Sequence, residues 1–148
     1  MKKLFLYFSL TGNGDLVADY LKNRGFDIRK VEEKHKPSKI FFFRVLGGGF
    51  RAGLNLKGKL INFNNDVSEY DEIVIGSPVW NGRFPPAINS VLAQTNFDNK
   101  KVSVVFYSGS GDMPKAYNKV IKLFPEAKVY NLKEPKSHDA EFEKIAEL

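Results

Sequence analysis

Residues 4–15 read Leu4-Phe5-Leu6-Tyr7-Phe8-Ser9-Leu10-Thr11-Gly12-Asn13-Gly14-Asp15, and their order decides the fold. Five consecutive apolar residues form a run of strand length, and a strand without alternation is one covered on both faces. The run stops in small and polar residues, after which Leu16, Val17, Tyr20 and Leu21 fall at helical spacing. Strand, tight turn and helix in that order open a βαβ unit. The turn itself has chemistry. Ser9 and Thr11 offer hydroxyls, Gly12 and Gly14 let the backbone come close, and the following helix aims its unsatisfied N–H groups and positive dipole end at the same place, which suits an oxyanion. The plainer role of the same residues is a left-handed turn at the glycines with Ser9 or Thr11 as helix cap.

Working outward, short apolar runs keep alternating with amphipathic stretches. The pattern predicts five strands, at residues 3–8, 27–31, 72–76, 101–107 and 128–132, and helices at 15–23, 86–94 and 114–124. Proline near the start of the second and third helices costs no hydrogen bond there. Phe142, Ile145 and Ala146 predict a closing helix over 139–148. Between Glu32 and Asn65 a short helix is expected, capped by Ser38, with Phe42, Val45 and Leu46 on one face and Gly47 as its stop; a strand through 40–43 is the alternative. The expected class is α/β, with a single domain over 1–148.

In a parallel sheet every loop after a strand gathers at the carboxyl edge, where ligands bind. The loop after the third strand, Ser77-Pro78-Val79-Trp80-Asn81-Gly82-Arg83-Phe84-Pro85, carries the only tryptophan, a flat platform on which an aromatic heterocycle can lie. Its plain role is to plug the end of the core. After the fourth strand, Ser108-Gly109-Ser110-Gly111-Asp112 is again small and polar, open to close approach by a ligand or simply a turn into the next helix with Asp112 as cap.

With these three loops in hand the chain resembles the flavodoxins and close flavodoxin-like FMN proteins over nearly its whole length. F-S-L-T-G-N-G is similar to their phosphate loop, Y-D-E-I-V-I-G-S-P-V-W-N-G to their third strand and flavin loop, and Y-S-G-S-G-D to the loop that closes on the isoalloxazine. The resemblance implies a flavodoxin-like three-layer sandwich with a five-stranded parallel sheet in the order 2-1-3-4-5. It implies FMN as cofactor, held by Ser9, Leu10, Thr11, Gly12, Asn13 and Gly14 at the phosphate. Pro78, Val79, Trp80, Asn81, Gly82 and Phe84 would lie at the ring, with Trp80 stacking, and Ser108, Gly109, Ser110, Gly111 and Asp112 at its pyrimidine edge. Gly14 stands where the family carries a hydroxyl, which removes one phosphate contact. Tyr107 is expected to belong to the strand, leaving the third loop without a second aromatic, and the chain is basic where familiar flavodoxins are acidic.

The net charge of +6 is spread from Lys2 to Lys144 and marks a solvated basic surface rather than a nucleic-acid groove. Without cysteine there are no disulfides or thiolate sites, which fits a reducing cytoplasm, and no apolar stretch nears the roughly 20 residues a bilayer span needs. His35 and His138 receive no role and no metal site is expected. Asp66, Glu69, Asp71 and Glu72 are expected to form a solvated acidic face before the third strand. A phosphate-accepting receiver domain is set aside, since Ser9 and Leu10 stand where it needs acids. The expected function is FMN-based electron transfer between partner proteins, the partner acidic, or to a small-molecule acceptor, with no catalytic side chain. The alternatives are an NAD(P)H:quinone or flavin oxidoreductase, which Arg83 would favour, and a flavin-free interaction module using Phe41, Phe42, Phe43 and Phe50.

Overall fold

The computed structural model describes residues 1–34, 57–109 and 113–148. Along the chain these give β1 (Lys3–Tyr7), α1 (Asn13–Lys22), β2 (Asp27–Lys30), β3 (Glu72–Pro78), α2 (Pro86–Gln94), β4 (Lys101–Ser108), α3 (Pro114–Leu123) and β5 (Lys128–Lys133), then a 3-10 helix, Asp139–Ile145. All five strands are parallel, in the order β2-β1-β3-β4-β5. The short helix or strand expected between 32 and 65 falls largely on residues outside the description.

Strand residues alternate between two cores. Leu4, Leu6, Ile73, Ile75, Val104 and Phe106 face α2 and α3, meeting Ala87, Ile88, Val91, Ala116 and Val120. Phe5, Tyr7, Val74, Val105, Tyr107 and Leu132 face the other way, against Val17, Ala18 and Leu21 of α1 and Ile145 and Leu148 of the chain end. A strand that must serve both layers has few polar positions to spare, which is why residues 4–8 and 73–76 read as apolar runs. The architecture is a flavodoxin-like three-layer α/β sandwich.

Two expectations change. The closing segment is a 3-10 helix ending at Ile145. Glu72 is not part of a solvated face: it is 1% exposed, in register between Lys3 on β1 and Lys101 on β4, with carboxylate–ammonium distances of 3.8 and 3.3 Å. The other acids of that run stay at the surface, Glu69 pairing with the Lys2 ammonium and Asp71 accepting the Lys2 backbone N–H at 2.7 Å.

Candidate functional site

At the carboxyl edge a cleft of about 330 Å³ opens between β1, β3, β4 and β5. Four segments build it, and the first is the turn after β1. Gly12 has φ of 91°, a left-handed conformation that turns the chain into α1 two residues earlier than the apolar spacing suggests, so Asn13 and Gly14 belong to the helix's first turn. Gly12 is the N-cap residue, and Ser9 Oγ, three residues earlier, accepts the Gly14 N–H of the first turn at 3.1 Å. Asn13 Oδ1 accepts the Lys136 backbone N–H at 3.0 Å, tying the turn to the segment after β5. Leu10, Thr11 and Asn13 line the cleft; Ser9, Gly12 and Gly14 are not among its lining residues.

Gly14 is required by packing. A Cβ there would lie 2.5 Å from Tyr107 Oη and 2.8 Å from Ser9 Cβ, closer than real contacts come. Tyr107, near the end of β4, sends its phenol under the turn, where it donates to the Phe8 carbonyl, and the residue borders the cleft. Burial pushes that phenol well above its usual range, so it remains a neutral donor. Tyr107 belongs to β4, as expected, and does not come from the third loop; its buried phenol occupies the space a side chain at position 14 would need.

The second segment follows β3, which runs two residues further than expected and takes in Ser77 and Pro78. Trp80 and Arg83 exchange backbone hydrogen bonds of 2.9 and 3.0 Å, closing a two-residue turn at Asn81 and Gly82, both with positive φ (50° and 72°), as an Asn-Gly pair favours. The Gly82 carbonyl accepts the Ala116 N–H of α3 at 2.7 Å, which fixes the turn to the helix layer. Trp80 is only 6% exposed and packs edge-on against Phe8 at 6.0 Å between ring centres. It both plugs the core and walls the cleft beside Pro78 and Val79. Phe84 packs on Phe106 at 5.2 Å inside the core, and neither it nor Asn81 and Gly82 reaches the cleft.

Ser108 and Gly109 line the cleft from β4; Ser110, Gly111 and Asp112 lie outside the described residues. The fourth segment, after β5, escaped the sequence reading. Glu134, in the left-handed region at φ 42°, donates its N–H to the Ser108 carbonyl at 3.0 Å, and a turn to Ser137 brings Glu134, Lys136 and Ser137 to the cleft wall. Glu134 Oε1 lies 3.4 Å from where a Cβ on Gly109 would stand, so its carboxylate is at the β4 end, while Lys136 borders Asn13 at the α1 end. The signal available in the sequence was topological: β5 is parallel to the rest, so its following loop had to reach the same edge.

Beside the cleft, Asp15 in the first turn of α1 takes hydrogen bonds from Lys30 Nζ at 2.7 Å and Tyr7 Oη at 2.8 Å. Burial alone would raise this carboxyl, but the two donors together hold it below the usual carboxylate range. Burial and the neighbouring Asp15 push the Tyr7 phenol up in turn. Among the described residues no cluster of three His, Asp or Glu is placed to hold a metal ion, and no helix is long and apolar enough to cross a membrane.

The model of the flavodoxin family matches residues 55–143 of this chain. No curated protein matches it in sequence. Among solved structures, a Bacteroides eggerthii protein superposes with a TM-score of 0.73 at 19% identity, covering 98% of both chains. A Bacteroides uniformis protein gives 0.70 at 21% identity, covering 92% of this chain and 94% of its own. A flavoprotein from Lactobacillus acidophilus, solved in complex with FMN, gives 0.58 at 21% identity over 94% of this chain and 97% of its own.

Proposed function

Since this chain belongs to the flavodoxin family, we propose that it binds FMN in the carboxyl-edge cleft and carries electrons between redox partners. The observation that carries the reading is a cleft walled by the start of α1, with Thr11, Asn13 and the Lys136 segment tied to it, and by the loop after β3, with Pro78, Val79 and Trp80. A phosphorylated flavin has two parts to set against these two walls. The volume of about 330 Å³ lies within the roughly 300–1,000 Å³ of cofactor sites, and Gly109 leaves the wall open to a flat ring.

The phosphate would take the α1 N-terminus, the Thr11 hydroxyl and the Lys136 ammonium, while Asp15 of the same helix turn is engaged by Lys30 and Tyr7. The ring would lie along Trp80, Pro78 and Val79, with Ser108 and Gly109 at its edge. FMN when bound supplies one- and two-electron chemistry. The chain's part is to exclude water with Leu10 and Trp80 and to set the field: Glu134 holds negative charge near Gly109, which opposes further negative charge at that end of the cleft. No acid or base is needed for this role.

Arg83, the cation an NAD(P)H-oxidising enzyme would use, lines a separate groove rather than this cleft, which favours the carrier over the reductase. Fluorescence titration with FMN and with riboflavin tests the proposal. FMN should bind at one site per chain and riboflavin at least about tenfold more weakly, the worth of one charge-assisted hydrogen bond. Equal affinities would overturn it, and rapid NAD(P)H oxidation by the loaded protein would replace the carrier with the oxidoreductase.

A further inference from the structure

On the other side of the Trp80–Arg83 turn lies a second concavity of about 460 Å³, between α2 and α3. Its charged wall is wholly basic: Arg83, Lys115, Lys119 and Lys122. Lys115, Lys119 and Lys122 fall at i, i+4 and i+7, so they form one row along α3, about 10 Å long. Lys119 Nζ donates to Asn89 Oδ1 of α2 at 2.8 Å. Burial first, and then the nearby Lys57, lowers its affinity for a proton. Among the described residues no carboxylate comes within 4.0 Å of Arg83, Lys57, Lys115 or Lys122, although Lys2, Lys3, Lys30, Lys101, Lys128 and Lys144 all find one. Residues 35–56 contain no acid in sequence, and 110–112 contain one, Asp112. Leu123 closes the groove and is 47% exposed.

We propose that this groove is the docking surface for an acidic protein partner, seated next to the cleft. The groove's charged lining holds four cations and no carboxylate, three of them in one row along α3, and the cost of crowding them in the free protein falls when carboxylates approach. A protein face fits better than a lone phosphate or pyrophosphate because the charges are strung along two turns of helix beside an exposed leucine, instead of converging on one point. The position supplies the purpose. One turn presents Trp80 to the cleft and Arg83 to the groove, so a partner held here stands within one loop's width of the cofactor site. That purpose rests on the carrier reading; the binding surface does not.

The test uses the whole chain, labelled with nitrogen-15, titrated with a 20-residue poly-L-glutamate and separately with pyrophosphate. Poly-L-glutamate should shift the amide resonances of Arg83 and of 115–123, and binding should weaken by at least about fivefold between 20 and 200 mM salt. Lys115→Glu with Lys122→Glu should abolish those shifts, while Lys22→Glu with Lys34→Glu, of equal net charge, should leave them. Shifts scattered over the whole surface, or lost equally in both double variants, would overturn the proposal. Tighter binding of pyrophosphate than of poly-L-glutamate at the same residues would do so too, making the groove a small-anion site. FMN titration of the same samples reports on the cofactor independently, so either reading can fail without the other.

Discussion

The two edges of the sheet each bury a carboxylate, and they neutralise it by different means. At the amino edge Glu72 is sandwiched between lysines of the flanking strands, Lys3 and Lys101. At the carboxyl edge Glu33, 8% exposed, has no ion pair among the described residues. Desolvation raises its carboxyl above the ordinary range, and only a hydrogen bond from the Ala87 backbone N–H, in the first turn of α2, pulls the other way. The Glu33 Oε1 presses on Gly58, where a Cβ would come within 2.1 Å. Elsewhere the carboxyl edge is built from left-handed turns at Gly12, Asn81, Gly82 and Glu134 and from backbone hydrogen bonds between loops. Charge pairs hold one edge closed, whereas helix ends and turns keep the other shaped for a ligand.

Breaking the carboxyl edge should have the largest effect. Trp80→Ala removes a core side chain and a cleft wall at once, so urea unfolding should show a loss of about 3–5 kcal/mol, and FMN affinity should fall as well. Trp80→Phe, which keeps an aromatic packed on Phe8, should recover most of the stability and less of the affinity. An affinity unchanged in both variants would confine Trp80 to the core.

At the amino edge Glu72→Gln should cost about 1–3 kcal/mol, because two neighbouring ammonium groups lose their common counter-charge, while both lysines remain partly solvated. Here FMN affinity should not move. A change in it would mean that the two edges are not independent.

The smallest effect has the opposite sign and sharpens the contrast. Because the folded protein holds Glu33 above its unfolded value, native stability declines as pH rises through the ordinary carboxylate range, and the full penalty applies above the raised value. Glu33→Gln keeps an oxygen for the Ala87 N–H and abolishes the penalty. The variant should therefore be the more stable protein at pH 7 and match the parent below about pH 4, near the usual glutamate value. Urea midpoints at the two pH values check this; a gain that is equal at both would exclude ionisation as its cause.

The central strands β1, β3 and β4 were legible in the sequence because burial on both faces leaves nearly continuous apolar runs, whereas the edge strands β2 and β5 carry charged residues and stay partly exposed. The sheet's order followed from resemblance, and of the three loops singled out Leu10, Thr11 and Asn13, Pro78 to Trp80, and Ser108 with Gly109 do meet at one cleft. What escaped depends on neighbours distant in the chain. Nothing near Glu72 announces that Lys3 and Lys101 will flank it; only the register does. Tyr107 was assignable to β4, yet its reach under the β1 turn spans β3, which lies between the two strands. Lys136 has no motif of its own, and its approach to the turn is fixed by the Asn13 side chain, 123 positions earlier. The start of α1 was misplaced because helical spacing is counted from apolar residues, whereas the helix begins at a backbone turn, Gly12.

Gly14 and Tyr107 occupy one volume between them. A lineage of this protein is therefore constrained in the order of its changes. A side chain gained at 14 while the tyrosine persists meets an immediate steric penalty, whereas a smaller residue gained first at 107 opens room that a later hydroxyl at 14 can occupy. The two positions should be inherited as a pair, and grafting the family's usual hydroxyl into this turn alone should damage the very loop it is meant to improve.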